Sequence, residues 1–182
     1  KNKVVLDIAS GEGYGSNLLS SVATYVYGVD IDSESIKHAN HKYGKRNRLE
    51  YLEGSTSKIP IEDASIDLVV SFETLEHHDE HEQMMIEIKR VLKHDGVLLI
   101  SSPEKTIYYT RDPNNPYHIM ELTFLEFEKL LRKHFDETVF LTQRFVAGSL
   151  ISINNPLTNS TLALYSGDYK NVLTTLSKQD FY

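Results

Sequence analysis

The chain has 182 residues, 40% of them hydrophobic and 25% charged, which is enough to bury one sizeable core and speaks for a folded globular protein rather than a disordered one. Its formal net charge of −7, from 26 acidic against 19 basic residues, excludes the electrostatic footprint of a nucleic-acid binder. With no cysteine it can hold neither a disulfide framework nor a thiolate zinc site, and no apolar run is long enough to span a membrane. The opening residues KNKVV lead straight into a strand-like run rather than a signal peptide, so a cytoplasmic location is expected.

Val4 to Ile8 is a β-branched run followed by a loop with Gly11, Gly13 and Gly15, and Asn17-Leu18-Leu19 then opens a helical segment. Tyr25 to Val29 reads as a second strand. Asp32 or Ser33 offers a side-chain oxygen to cap a helix over Glu34 to Tyr43. Leu49 to Glu53 and Ile66 to Phe72 are the third and fourth strands. Asp79 with Glu82 forms a capping pair for a helix with Met85, Ile88, Val91 and Leu92 on one stripe, ending near Asp95-Gly96. Val97 to Ser101 is strand five. Strands alternating with helices predict a parallel sheet built from βαβ units.

Residues 103–122 break this rhythm with Pro103, Pro113, Pro116 and the tyrosines Tyr108, Tyr109 and Tyr117, and a loop of this length is expected to be functional or disordered. Thr123 and Glu126 make a capping box for a helix carrying Phe124, Phe127, Leu130 and Leu131, and Thr138 to Leu141 is a sixth strand. Further on, Phe145 to Ile153 or the residues from Asp180 are candidates for a seventh, with turns at Asn154-Asn155-Pro156 and Tyr165-Ser166-Gly167-Asp168. The basic cluster Lys42, Lys45, Arg46 and Arg48 reads as solvated surface.

A glycine loop between a strand and a helix lets the main chain approach a ligand at a helix N-terminus. The dinucleotide fingerprint wants G-x-G-x-x-G, but here the third glycine comes one step early and Ser16 stands where that pattern needs glycine. Asp30 closes the second strand 19 positions after Gly11, where a carboxylate can accept hydrogen bonds from both hydroxyls of a ribose. The expected ligand is a nucleoside.

Four stretches, Asp7-Ile-Ala-Ser-Gly11-Glu-Gly13-Tyr-Gly15, Gly28-Val-Asp30, Asp67-Leu-Val-Val-Ser-Phe-Glu73-Thr-Leu-Glu76-His77 and Gly96-Val-Leu-Leu-Ile-Ser, follow one another in the order of the motifs of class I S-adenosylmethionine-dependent methyltransferases, which the chain resembles over about residues 1–143. The resemblance implies an α/β, Rossmann-like, doubly wound and mostly parallel sheet of six to seven strands with helices on both faces. It also implies S-adenosylmethionine as cofactor, with no metal. By that resemblance Asp7 anchors the loop and the amino-acid end of the cofactor, Gly11 and Gly13 pass beneath the sulfonium nucleoside, Asp30 takes the ribose, and Tyr14 and Ile31 adjoin them. Ala9 replaces a frequent glycine, Ser55 and Thr56 stand where an acid often holds the adenine amino group, and Phe72 and Glu73 face cofactor and acceptor.

Histidine can take a proton from an attacking hydroxyl near neutral pH, and His118 in the long loop is favoured as that base over His77. The run His77-His78-Asp79-Glu80-His81 matches an inverted zinc-protease signature, but a cap at Asp79 leaves His77 outside the helix carrying His81, and His78 and His81 are expected on a solvated face. The whole of 1–182 is read as one domain: a cofactor half (1–102), an acceptor loop (103–122) and a substrate-side half (123–182). With Lys1 only three residues before the first strand, it is expected to be a module of a longer polypeptide. The Asn-Pro-Tyr-His segment resembles modules of bacterial surface-glycan assembly, which implies O-methylation of a glycan or small-molecule hydroxyl beside or fused to a glycosyltransferase. The rivals are a non-catalytic module that holds the nucleoside and an NAD-dependent oxidoreductase.

Overall fold

The computed structural model describes residues 2–110, 112, 114–146, 148–153, 162–166 and 173–176, with side chains described up to Gln143. The chain divides into two compact units, Lys1–His134 and Phe135–Tyr182.

The first unit is built on five parallel strands, β1 (Val4–Ile8), β2 (Tyr25–Asp30), β3 (Leu49–Glu53), β4 (Ile66–Phe72) and β5 (Leu92–Ser101), in the order β3-β2-β1-β4-β5. The fold is the Rossmann-like α/β class, with five strands in this sheet rather than six to seven. Parallel strands covered on both sides read as near-continuous apolar runs. In β1 that requirement is met by Val5, Leu6 and Ile8, all buried. Because side chains alternate along a strand, Val5 shares a face with Asp7 and packs with Val26, Leu49, Tyr51 and the helical Ile36 and Ala39, while Leu6 and Ile8 point the other way. Each such fully buried aliphatic side chain contributes about 1.5–3 kcal/mol.

The helices are α1 (Tyr14–Leu19), α2 (Ser33–Tyr43), α3 (His81–Val91), α4 (Lys105–Tyr109) and α5 (Phe124–His134), with one 3-10 turn at Leu75–His77. The expected cap of α2 is present: Asp32 accepts from the N–H groups of Glu34 and Ser35. So is the box at α5, where Glu126 accepts from the N–H and hydroxyl of Thr123. Three expectations change. Helix α1 starts at Tyr14 rather than Asn17, directly on the glycine loop. Helix α3 starts at His81, and no side chain caps it, because Glu82 instead pairs with Lys133 and His134 on α5. It ends at Val91, since Leu92 turns extended and pairs with Ile66, and the register with β4 then jumps to Val97 opposite Leu68. Within the expected loop 103–122 a short helix forms at Lys105–Tyr109, whose first turn is capped by the Glu104 carboxylate accepting from Ile107 N–H.

The second unit is a four-stranded antiparallel meander of β6 (Leu141–Val146), β7 (Gly148–Ile153), β8 (Leu162–Ser166) and β9 (Leu173–Leu176). The sixth strand thus begins where it was expected to end, and it pairs with β7 instead of extending the parallel sheet. The expected turn at 154–156 and the residues from Asp180 lie outside the described residues, as do Pro113, Gly167 and Asp168.

Candidate active site

In a doubly wound sheet the crevice for a ligand opens at the carboxyl ends of the strands, where the strand order reverses. Here β1 is followed by β2 and β3 on one side, and the chain returns to β4 on the other, so the reversal falls between β1 and β4. The glycine loop leaves β1 at this point. Glu73 leaves β4 there.

The three glycines of the loop serve different ends. Gly11 has φ 52°, and a Cβ built on it would meet nothing within 4 Å, so its face is open to a ligand. Gly13 has φ 82°, but a Cβ there would strike the Tyr51 hydroxyl at 2.5 Å, and Tyr51 donates to the Gly13 carbonyl at 2.7 Å. The side of Gly13 where a side chain would stand therefore holds Tyr51. A Cβ at Gly15 would lie 3.1 Å from Asp7 Oδ2, the oxygen that accepts from Ser16 Oγ at 2.6 Å. Burial pushes the Asp7 carboxyl above its ordinary range, and the hydrogen bonds from Ser16 oppose that. Asp7 accordingly fastens the loop to α1 from below. Ala9 adopts φ 60°, the left-handed region in which a β-carbon costs about 1–2 kcal/mol.

Asp30 ties the loop to β2. Its Oδ2 accepts from Gly11 N–H at 2.7 Å and its Oδ1 from Asp32 N–H at 2.9 Å. A carboxylate has about four acceptor sites, so both oxygens keep capacity for a vicinal diol. Next to it the Gly54 N–H donates to the Asp30 carbonyl, which brings the Ser55-Thr56 turn beside the end of β2. Ser55 Oγ lies 3.2 Å from Ser57 Oγ. Along the carboxyl ends of the strands, Tyr14 (69% exposed) after β1, Ile31 (74%) after β2 and Phe72 (54%) at the end of β4 present apolar surface to solvent. The residues at these strand ends therefore fit a nucleoside: an open main-chain face, a fixed carboxylate with spare lone pairs, and apolar side chains for a base.

Glu73, just past β4, has φ 52°, and its Oε1 accepts from Ser101 Oγ at 2.6 Å. Such backbone strain in a residue other than glycine costs about 1–3 kcal/mol and gathers at functional sites. Four residues after Glu73, His77 meets His118, the other histidine singled out from the sequence, with ring centroids 5.1 Å apart and edge to face. His77 Nδ1 lies 2.8 Å from the Tyr117 carbonyl, and His118 Nδ1 lies 2.6 Å from Glu121 Oε1. A carbonyl oxygen can only accept, so His77 carries its proton on Nδ1, and a carboxylate imposes the same on His118. The lone pair of each neutral ring is then on Nε2. Tyr108 stacks on His118 at 4.5 Å, whereas Tyr109 and Tyr117 are exposed.

Glu76 is the member that sequence reading missed. It is 1% exposed, its carboxyl is pushed above the ordinary range by burial, and its Oε1 lies 4.0 Å from His77 Nε2. The motif ETLEH contained it, but nothing local separates a buried glutamate from a solvated one. Ser16, Tyr51 and Glu121, which hold the loop and His118, were missed for the same reason. The solvated-face reading of His78 and His81 is corrected: His81 is buried and its Nε2 lies 2.7 Å from the carbonyls of both Leu75 and His78, while burial lowers the pKa of the half-buried His78. With Nε2 donating there, His81 has no use as the partner of His77 in a zinc-protease site. Among the described residues no helix is long and apolar enough to cross a membrane.

Comparison with known proteins agrees with this geometry. The family model described as a methyltransferase domain matches residues 6–100. A probable S-adenosylmethionine-dependent methyltransferase of Mycolicibacterium smegmatis is 38% identical over 129 residues, covering 70% of this chain and 49% of that one. A protein of the same description from Mycobacterium tuberculosis is 36% identical, covering 70% and 46%. The chain thus spans about half the length of these curated relatives. A solved structure from Pyrococcus horikoshii superimposes with a TM-score of 0.67 at 23% identity, covering 86% of this chain and 82% of that one, which is a likeness of fold. The extent of the family match and the glycine loop without a dinucleotide fingerprint together displace the oxidoreductase reading: the chain belongs to the methyltransferase-domain family of S-adenosylmethionine-dependent enzymes.

Proposed function

We propose that the protein transfers a methyl group from S-adenosylmethionine to a hydroxyl of a sugar, a glycan or another small molecule. The observation that carries this reading is the meeting of His77 and His118 beyond the end of β4, the strand that borders the nucleoside-fitting crevice. In this proposal residues 1–102 hold the cofactor and 103–122 cover the acceptor.

The cofactor supplies a methyl carbon activated by a positive sulfur. Asp30 grips the ribose diol, Gly11 lies beneath it, and Ile31 and Tyr14 flank the base. His118 receives the hydroxyl proton at Nε2, and Glu121, bonded to Nδ1, holds the ring and stabilises the imidazolium that forms. Alignment of donor and acceptor supplies about 7–11 kcal/mol of the barrier reduction. Glu73, Glu76 and Glu121 surround the cluster, so a neutral hydroxyl suits it better than a phosphorylated acceptor, which those acids would repel. Sugars meet that condition, and a glycosyltransferase partner would supply them.

Calorimetric titration with S-adenosylhomocysteine, then methyl transfer across a panel of neutral glycosides, tests the reading. His118→Ala should retain binding of the nucleoside and lose roughly a hundredfold or more in turnover, the usual contribution of a general base. Unchanged turnover in that variant removes the base role, and absent S-adenosylhomocysteine binding removes the whole proposal. Binding without transfer to any acceptor would favour the non-catalytic module.

A further inference from the structure

We propose that Glu76, His77 and His118 form a binding site for one divalent first-row transition-metal ion. Each residue offers one ligand atom, and these atoms all lie within 4.8 Å of one another.

The hydrogen bonds around the cluster are those a metal site needs. A ligating imidazole binds through one nitrogen while the other donates to a fixed acceptor that sets the tautomer and aims the ring. Both rings have such an acceptor on Nδ1: the Tyr117 carbonyl for His77 and the Glu121 carboxylate for His118. Both Nε2 lone pairs are left over. His118 is further fixed by the Tyr108 ring stacked on it, and Tyr108 itself accepts from Asn115 Nδ2 at 2.8 Å.

Glu76 supplies the charge. Its side chain is 2% exposed, and Ser102 Oγ reaches it only at a long 3.4 Å. Its own backbone N–H is the other donor it has, and a carboxylate so placed is costly unless it takes up a proton or a cation meets it. Around zinc, bonds of about 2.0–2.1 Å place tetrahedral ligands about 3.4 Å apart. The 4.0 Å between His77 Nε2 and Glu76 Oε1 lies within a small side-chain rotation of that spacing. Two imidazoles and one carboxylate suit zinc, cobalt, manganese or iron better than magnesium or calcium, which prefer oxygen ligands.

Three protein ligands leave a coordination position open, as in catalytic rather than structural metal sites. The use of that position rests on the methyl-transfer reading, although the binding itself does not. An acceptor hydroxyl entering it becomes more acidic. Its O–H bond breaks with the proton passing to water, the oxygen forms the new bond to the methyl carbon, and the C–S electron pair returns to sulfur. In the loaded site the His118 lone pair is a ligand and the ion activates the hydroxyl; without the ion, His118 is the base.

Cobalt(II) titrated into the full chain, followed by its visible absorption and by calorimetry, tests the site. One equivalent should bind with a d–d band of low-coordinate cobalt, and zinc should displace it. His77→Ala, at a half-exposed position that tolerates truncation, and Glu76→Gln should each weaken cobalt binding by about tenfold or more. Glu121→Gln should weaken it by about 10–100-fold, as loss of an outer hydrogen-bond partner does. Asp30→Ala should weaken S-adenosylhomocysteine binding by about a hundredfold or more and leave cobalt binding unchanged, which separates failure of the metal site from failure of the nucleoside site. No band and no heat in the wild-type chain, or wild-type affinity in both His77→Ala and Glu76→Gln, overturns the proposal.

Discussion

Replacing Asp30 by alanine strikes the side chain proposed to hold the ribose diol. Two of about four acceptor sites on its carboxylate are used by the N–H groups of Gly11 and Asp32, leaving one on each oxygen for the two ribose hydroxyls. Hydrogen bonds to a charged acceptor are worth about 1.5–3 kcal/mol each, so two give about 3–6 kcal/mol, an upper bound because the freed hydroxyls are rehydrated. A loss of about 3 kcal/mol corresponds to more than a hundredfold in affinity. The variant also deprives Gly11 of its anchor, so the effect on the loop must be separated from the effect on the ligand. Titration with S-adenosylhomocysteine and with its 2′-deoxy analogue makes that separation by a cycle: the missing hydroxyl should weaken binding to the wild type and cost nothing further in Asp30→Ala. Binding of the parent compound within about threefold of wild type, or an equal penalty for the deoxy analogue in both proteins, refutes the assignment of Asp30 to the ribose.

The backbone of the loop makes its own predictions. Ala9→Gly relieves a left-handed β-carbon and gives back part of that gain as chain entropy, so it should stabilise the fold by about 0.5–1 kcal/mol in urea unfolding. Gly13→Ala meets both a φ of 82° and the Tyr51 ring, and it should destabilise by about 2 kcal/mol or more and loosen S-adenosylhomocysteine binding through the displaced loop. The Asp67 carboxyl is held below its ordinary range by the Val4 N–H first and by Lys93 and Lys3 after it. Its contribution is therefore present above the unfolded value near 3.9 and lost as pH falls through the lower folded value. Asp67→Asn should lower stability at neutral pH and flatten the acid side of the stability curve, while an unchanged slope between about pH 5 and pH 2 would refute the shift.

Strands β1 to β4, helix α2 and the box that opens α5 were legible because their signals are local: a β-branched run, an aspartate two and three residues before its N–H partners, a threonine and glutamate three apart. Where a distant partner wins, local reading fails. Glu82 looks like the reciprocal acid of a cap at Asp79, yet it bonds Lys133 and His134, more than 50 positions away, and α3 starts uncapped. The same divide runs through the site. The proposed nucleoside half between Asp7 and Asp30 is one loop and one strand end, close in sequence, and Asp30 was singled out there by its spacing from Gly11. The histidine cluster joins residues about 40 positions apart, and only the folded chain brings His77 Nδ1 to the Tyr117 carbonyl.

That cluster is held by main chain as well as side chain, and the division of labour between them decides what substitution at Glu76 can show. The Glu76 carbonyl accepts from the N–H groups of Ile119 at 2.7 Å and Met120 at 3.2 Å, so the backbone of one ligand residue straps down the segment that carries another, His118. The strap does not depend on the side chain at position 76. Glu76→Gln keeps the carbonyl, the volume and the chain path while removing the negative charge, and it should leave the ring of His118 where it stands. A change in cobalt affinity or turnover in that variant then reports on the carboxylate itself, whereas a change of equal size in Met120→Pro, which removes one N–H of the strap, would report on placement of the loop.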